Sequence, residues 1–414
     1  MSEDILTPIP RSNRIYGFVD NFLIWAGANI CIPTLFTGGL IAPKLGILYS
    51  IVVILIASTI GGFILGLIAL LGSKYGLPTM VLTRKVIGLK NSYIASIFNV
   101  IQLIGWSSIL LYVSSEALKE AGSYISRNSI ISNYIFWVIL IGIIQIIYIS
   151  RGIEKITIIH RIAVITLMIV LGIESYYLIA FMFSKGIYID VSGIKIKDIL
   201  WGIDMVLATA VSWAPLVADY SRFSISEHSA LMGTWWGYTI TSYILYSLGA
   251  LGAVVAGAYL GDPTLIAIKL GLSVLILYFV AISAITTNLI NIYSAVISTK
   301  NIYQKISYRL LVVLYGLIII AISITPIFIT NFEAFLYYIG DIFIPLTILL
   351  IVGLYRRGSE RGRNHIINAV IWWVAVAISI LITLLYGFGS SIIGISATIL
   401  IYLLISRYLG CGGC

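Results

Sequence analysis

The sequence predicts an all-α polytopic membrane protein with about 12 transmembrane helices, and three observations carry that prediction. Hydrophobic residues make up 60% of the 414 and charged residues 10%, with a mean hydropathy of +1.07, more apolar surface than a soluble chain of this length buries. Apolar runs long enough to cross a bilayer core, roughly 18 residues or more, recur along the whole chain. All but seven of the 25 Lys and Arg residues fall in alternate connections between these runs. The net charge of +9 is therefore read as basic cytoplasmic loops, and no nucleic-acid partner is expected.

In chain order the runs lie near 15–41, 47–72, 92–118, 132–150, 159–183, 200–218, 231–259, 264–298, 308–329, 332–354, 365–386 and 389–407. The run 264–298 is too long for one straight span, so its start is expected to be a short external helix after Gly261-Asp262-Pro263. Residues 1–14 are polar and mixed in charge, with no cleavable signal pattern, and are read as a cytoplasmic segment. The seven basic residues expected outside are Lys44, Lys119, Arg127, Lys185, Lys195, Lys197 and Lys269, which puts both termini in the cytoplasm. Residues 15–183 then form a first five-helix unit, 200–354 a second, 365–407 two further helices and 408–414 a cytoplasmic tail. Five is odd, so the second unit is inverted relative to the first. Cys411 and Cys414 form a terminal Cys-Gly-Gly-Cys, read as part of that tail rather than as a metal or redox pair.

Two runs are interrupted. The first contains Trp25-Ala-Gly-Ala-Asn-Ile-Cys-Ile-Pro-Thr-Leu-Phe-Thr-Gly-Gly-Leu40, where Pro33 removes a backbone donor and blocks ordinary helix geometry. The sixth contains Thr209-Ala-Val-Ser-Trp-Ala-Pro215. Lipid cannot satisfy freed backbone groups, so such breaks persist only against protein, water or a ligand. Breaks at matching positions of two halves point to a transporter binding site.

The polar residues of other runs extend this reading. On the eighth run Ser283, Thr286 and Thr287 stand at i, i+3 and i+4, one helical face of three hydroxyls. Membrane hydroxyls also bond back to the preceding turn, so each alone has an ordinary explanation; the cluster, facing carbonyls of an unwound first run, suits a small hard cation such as Na⁺. Asn288 and Asn291 share an adjacent face and could meet the edge of a flat heterocycle, although membrane asparagines also bridge helices, the role expected of Asn291. Gln102 and Trp106 face the same way on the third run, and Trp106 with Trp213 could sandwich a planar ring. Trp201, Trp235, Trp236, Trp372 and Trp373, near run ends, read as interfacial anchors. Asp20 and Asp204 are placed near the interfaces, Glu174 and Asp341 are candidate proton or gating groups, and Asp219-Tyr-Ser-Arg222 reads as an inner gate or cap. The three histidines form no ligand cluster, and no phosphate-cradling glycine loop is present, so neither a metalloenzyme nor an ATP-driven pump is expected.

Several of these stretches, in order along most of the chain, resemble the nucleobase–cation symporter-1 family. They are Pro8-Ile-Pro10-Arg11, Cys31-Ile-Pro33-Thr34, the loop from Gly72 through Pro78 and Arg84 to Gly88, Gly105-Trp106, Ser212-Trp213 with Asp219-Tyr-Ser-Arg222-Phe223, and Thr286-Thr287-Asn288. The resemblance implies a LeuT-like fold of 5+5 inverted repeats plus two C-terminal helices. It implies Na⁺ between carbonyls near Gly27 and Ile30 and the side chains of Ser283, Thr286 and Thr287. It implies a substrate ring between Trp106 and Trp213, with Asn288 on its edge and Cys31 at the first break. A glutamine used by some relatives is Leu110 here, and a second amide is Ile292; Gln102 is a candidate to compensate. The expectation is a monomeric, non-enzymatic carrier in the cell membrane, moving a nucleobase or related heterocycle with Na⁺ or H⁺ and needing no other cofactor. The alternative is an amino-acid or other organic-solute symporter on the same fold.

Overall fold

The computed structural model describes residues 5–127, 129–151, 194–256, 274–355 and 362–410, with isolated helical positions between 172 and 180. Thirteen α-helices run through the main described stretches: α1 (Phe18–Asn29), α2 (Ile32–Tyr75), α3 (Thr79–Ile125), α4 (Tyr134–Ile149), α5 (Ile196–Val211), α6 (Ala214–Ser221), α7 (Glu227–Ala256), α8 (Val274–Ile302), α9 (Tyr308–Ser323), α10 (Ile327–Thr330), α11 (Phe332–Tyr355), α12 (Gly362–Tyr386) and α13 (Ser390–Gly410). Among the described residues helices occupy most of the expected runs, with shifted ends, and five of them are long and apolar enough to cross a membrane. The expected run 159–183 and the short helix after Pro263 lie outside the described residues.

Glycines in the left-handed region separate spans that would otherwise be continuous. Gly46 (φ 65°) turns the chain between the first two expected spans, and Gly88 (φ 77°) divides a short helix starting at Thr79 from the long one ending at Ile125. The third helix therefore extends the expected 92–118 at both ends. The expected run 308–329 stops at Ser323, because Pro326 disfavours helix in the residue before it.

The two breaks are not centred on their prolines, as the sequence suggests for Pro33, but ahead of them. A proline ring clashes with the carbonyl four residues back. Pro33 thus sets the end of α1 at Asn29, and Pro215 the end of α5 at Val211. Each proline then occupies the first turn of the next helix, where a missing N–H is tolerated. Ile30-Cys31 and Ser212-Trp213 are left to span the gaps. The first gap is fastened by Asn29, whose Nδ2 shares its two hydrogens among Tyr238 O (3.1 Å), Thr241 Oγ1 (3.0 Å) and Ser242 Oγ (2.8 Å) on α7.

Helix α2 lies along α7 with backbones in close approach: Gly38 faces the main chain of Tyr246, and Gly249 faces the main chain of Leu35. In lipid, where apolar side chains gain little by leaving their solvent, such small-residue seams hold helices together. The last two helices are tied to the fifth by Asp204. It is buried within the protein, and it accepts from the amides of Gly389, Ser390 (3.1 Å) and Ser391 (3.0 Å) at the start of α13. A carboxylate suits the positive end of a helix. Trp201 and Trp372 are likewise buried, bonded to Glu333 (2.7 Å) and the Ile342 carbonyl (3.1 Å), whereas Trp236 and Trp373 are partly exposed, as anchors are.

Replacing Asp204 by Ala leaves these buried amides unpaired, at roughly 1–3 kcal/mol for each such group. The variant is expected to melt at lower temperature in detergent, and an unchanged transition would show that the α13 amides find other partners. Gly249→Leu drives a side chain into the α2 backbone and is expected to abolish the monodisperse peak in size-exclusion chromatography.

Candidate functional site

The two breaks meet. A small cavity, about 10 Å³, lies where they cross, lined by Cys31, Pro33 and Thr34 after the first break, Thr209 and Trp213 at the second, Trp106 and Leu110 of α3, and Thr287 and Asn291 of α8. That is the room of about one water molecule, so a ring enters only if the walls part. Trp106 is held edge-on by Phe332 (5.8 Å between ring centres) and Phe335 (5.2 Å) of α11, and Trp213 by Trp25 of α1 (6.1 Å).

Three polar atoms of the wall, Trp106 Nε1, Thr287 Oγ1 and Asn291 Oδ1, are buried and make no hydrogen bond among the described residues. Most buried polar atoms in proteins are paired, so this wall can bond a polar guest without breaking existing bonds. Thr34 and Thr209 are already engaged. Thr34 Oγ1 donates to the Asn29 carbonyl (2.8 Å) and lies 3.3 Å from Cys31 Sγ, which stiffens the first break. Thr209 Oγ1 donates to the Met205 carbonyl (2.8 Å).

The candidate residues separate on inspection. Trp106, Trp213 and Cys31 share the cavity. Gln102 stands aside: its Nε2 donates to the Ser212 carbonyl (3.0 Å) and to Asn99 Oδ1 (2.7 Å), so it props the second break. Asn288 is absent from the wall and bonds Gln145 of α4 (2.9 Å) and the Ser107 carbonyl (3.3 Å), while Asn291, which the sequence suggests as a helix bridge, faces the cavity. Gln145 is not among the sequence candidates, although a lone amide in the apolar run of α4 is a usable signal, and Thr34 enters the sequence only as part of the Cys31-Ile-Pro33-Thr34 stretch, with no role of its own.

Among the cation candidates, Thr286 and Thr287 are buried on α8, and α1 packs against α8. The helical ladder of α1 runs to the Ile30 N–H, which donates to Ala26 O (2.9 Å); the Cys31 N–H then donates to Asn29 O (2.8 Å) rather than to Gly27 O, so the ladder stops at the Gly27 carbonyl. The side chain of Ser283 lies outside the described residues.

Below α6 the chain is clamped. Asp219 accepts from the Thr79 amide (3.1 Å) and from Ser294 Oγ, Thr79 Oγ1 accepts from the Ala218 amide (2.9 Å), Tyr220 donates to the Ile290 carbonyl (3.0 Å) and Arg222 to Tyr293 (3.2 Å). A bridge between Tyr16 and Ser224 adds the start of the chain to this knot. Of the candidate carboxylates, Asp341 accepts from Thr383 Oγ1 (2.9 Å), away from the cavity lining, and Glu174 lies outside the described residues.

The chain is 15% identical to Mhp1, a nucleobase-cation-symport-1 family transporter, in a closed conformation with bromovinylhydantoin bound; the alignment covers 98% of this chain and 96% of that one at a TM-score of 0.79. A Na⁺-coupled sialic acid symporter in a substrate-bound outward-open state aligns at 14% identity and a TM-score of 0.64, over 94% of this chain and 89% of that one. The fold is thus the LeuT-like one that the sequence leads us to expect. A putative purine-cytosine permease, YxlA of Bacillus subtilis (strain 168), is 23% identical over 84% of this chain and 78% of its own length. The chain is a multi-pass membrane protein of a transporter family and not an enzyme. The family model described as permease for cytosine/purines, uracil, thiamine and allantoin matches residues 8–366, and the chain belongs to that family.

Proposed function

We propose that this protein is a secondary active symporter that carries a nucleobase or related planar heterocycle with Na⁺ or H⁺ by alternating access. It acts as a single-chain unit in the cell membrane with both termini in the cytoplasm, and its two breaks open two inverted five-helix repeats. One observation carries the reading: Trp106 and Trp213, the two deep tryptophans, line one cavity where the breaks cross, beside unpaired polar atoms of α8. Two aromatic faces suit a flat ring and offer little to a flexible zwitterion. The printed names of the purine-cytosine relative and of the hydantoin-bound neighbour support the same substrate class.

In this reading the cation bridges α1 to α8, through the Gly27 and Ile30 carbonyls and the hydroxyls of Ser283, Thr286 and Thr287. Substrate then stacks between the tryptophans and bonds the amides of Asn288 and Asn291 as the walls part, with Cys31 against its rim. Each ligand shifts the conformational equilibrium only by its differential affinity for the two states. Asp219 and its partners act as the inner gate. The Na⁺-coupled structural neighbour favours Na⁺ over H⁺.

The assignment is tested by thermal stability of the purified protein with cytosine, uracil, hypoxanthine, allantoin, hydantoin and several amino acids, each with and without Na⁺. A folded-state ligand raises the melting temperature by mass action. A shift with a heterocycle, larger in Na⁺, is the expected result; shifts with amino acids alone would move the protein to the organic-solute class. Trp213→Ala is expected to weaken binding of the responding base about tenfold or more, since one aromatic–base stack contributes about 1–3 kcal/mol. Thr287→Ala is expected to raise the Na⁺ concentration for half-maximal uptake in proteoliposomes several-fold, and uptake equally fast without Na⁺ in the parent protein would point to protons.

A further inference from the structure

Behind the cavity wall lies a second polar site that the sequence reading did not contain. Gln145 is a solitary amide in the apolar helix α4, and both it and Asn288 are buried, at 2% and 0% exposure. Asn288 Nδ2 donates to Gln145 Oε1 (2.9 Å) and to the Ser107 backbone carbonyl (3.3 Å). An amide nitrogen has two hydrogens, so both are engaged. Asn288 Oδ1 makes no hydrogen bond among the described residues, and neither do Gln145 Nε2 and Ser107 Oγ.

The orientation of Asn288 is fixed by this arrangement. If only Gln145 were present, the two amides could turn over together and exchange donor for acceptor. The Ser107 carbonyl breaks that symmetry, because a backbone oxygen accepts and cannot donate. Turning Asn288 over would press its oxygen against that carbonyl in a buried site of low dielectric, where unpaired polar contacts are most unfavourable. The site also abuts the cavity through adjacent residues, Ser107 following Trp106 and Asn288 following Thr287, and both predecessors line the wall.

We propose that Gln145 is a specificity-determining positioning residue. Together with the Ser107 carbonyl it engages both N–H groups of Asn288, so that Asn288 has only an acceptor oxygen to offer the substrate. The carrier therefore selects heterocycles that present a ring N–H at that edge, the lactam and imide class, and rejects analogues whose ring nitrogen there is alkylated. This inference rests on the nucleobase-carrier reading above and on Asn288 meeting the substrate. A buried acceptor left unpaired by the wrong ligand discriminates more strongly than a change in apolar contact.

The test uses the purified full-length protein and three variants, Gln145→Leu, Gln145→Met and Gln145→Glu. Binding is measured for uracil against 1-methyluracil and 3-methyluracil, and for hypoxanthine against 1-methylhypoxanthine, with the melting temperature without ligand recorded alongside. The parent protein is expected to bind one parent base at least tenfold more tightly than one of its N-methyl analogues. Gln145→Leu and Gln145→Met release one N–H of Asn288 and are expected to narrow that ratio at least threefold. Gln145→Glu keeps an acceptor for Asn288 and is expected to hold the ratio near the parent value. A parent protein that binds bases without discriminating their N-methyl forms overturns the inference. So does a Leu or Met variant that melts lower yet keeps the full ratio, because Gln145 would then be helix glue alone. A parent protein that binds no base at all overturns the carrier reading itself, and this inference falls with it.

Discussion

The structure depends on a steric rule applied twice in a solvent that cannot forgive it. A proline forbids helix four residues before it, and hydrocarbon supplies no partner for the backbone groups so exposed. Pro33 and Pro215 therefore do more than interrupt: they fix where α1 and α5 end and oblige the surrounding protein to close the gaps. Asn29 fastens the first gap to α7, and Gln102 supplies a donor to the Ser212 carbonyl of the second. The cavity lies between these repairs, lined by residues from each break and by the helices that serve them.

The tryptophans are braced by neighbouring aromatic rings and Thr34 stiffens the first break, yet the cavity between them has the room of about one water, so it widens only if these walls part. Asp219, Thr79, Ser294 and Arg222 join α3, α6 and α8 through several hydrogen bonds, and in the carrier reading proposed above these are the contacts that break when the inner side opens.

The candidate site was legible in type and less so in register. Trp106 and Trp213 could be named from sequence because depth in an apolar run and proximity to a break are both one-dimensional properties, whereas Cys31 was named only through the family resemblance. The amides could not be sorted the same way. Gln102, Asn288 and Asn291 are all polar residues at depth, and which one meets the cavity depends on the rotation of α3 and α8 against their neighbours. The structure gives Gln102 to a backbone carbonyl, Asn288 to Gln145 and Asn291 to the wall. Asp204 shows the same limit: its place near a span end suggested an interface, while its partners lie some 185 residues away along the chain at the start of α13.

By itself the sequence determined the membrane class, the helical runs among the described residues and the existence of two breaks. These follow from hydropathy, charge placement and proline, whose effects act over a few residues and need no knowledge of neighbours. Only the tertiary structure decided that the breaks cross at one cavity, that glycine seams bring α2 against α7, and that Gln145 holds Asn288 from behind. Those outcomes depend on helix rotation and on contacts between residues far apart in the chain, and a one-residue change of rotation turns a polar side chain by about 100°. Local pattern names the groups that need partners, and packing alone assigns them.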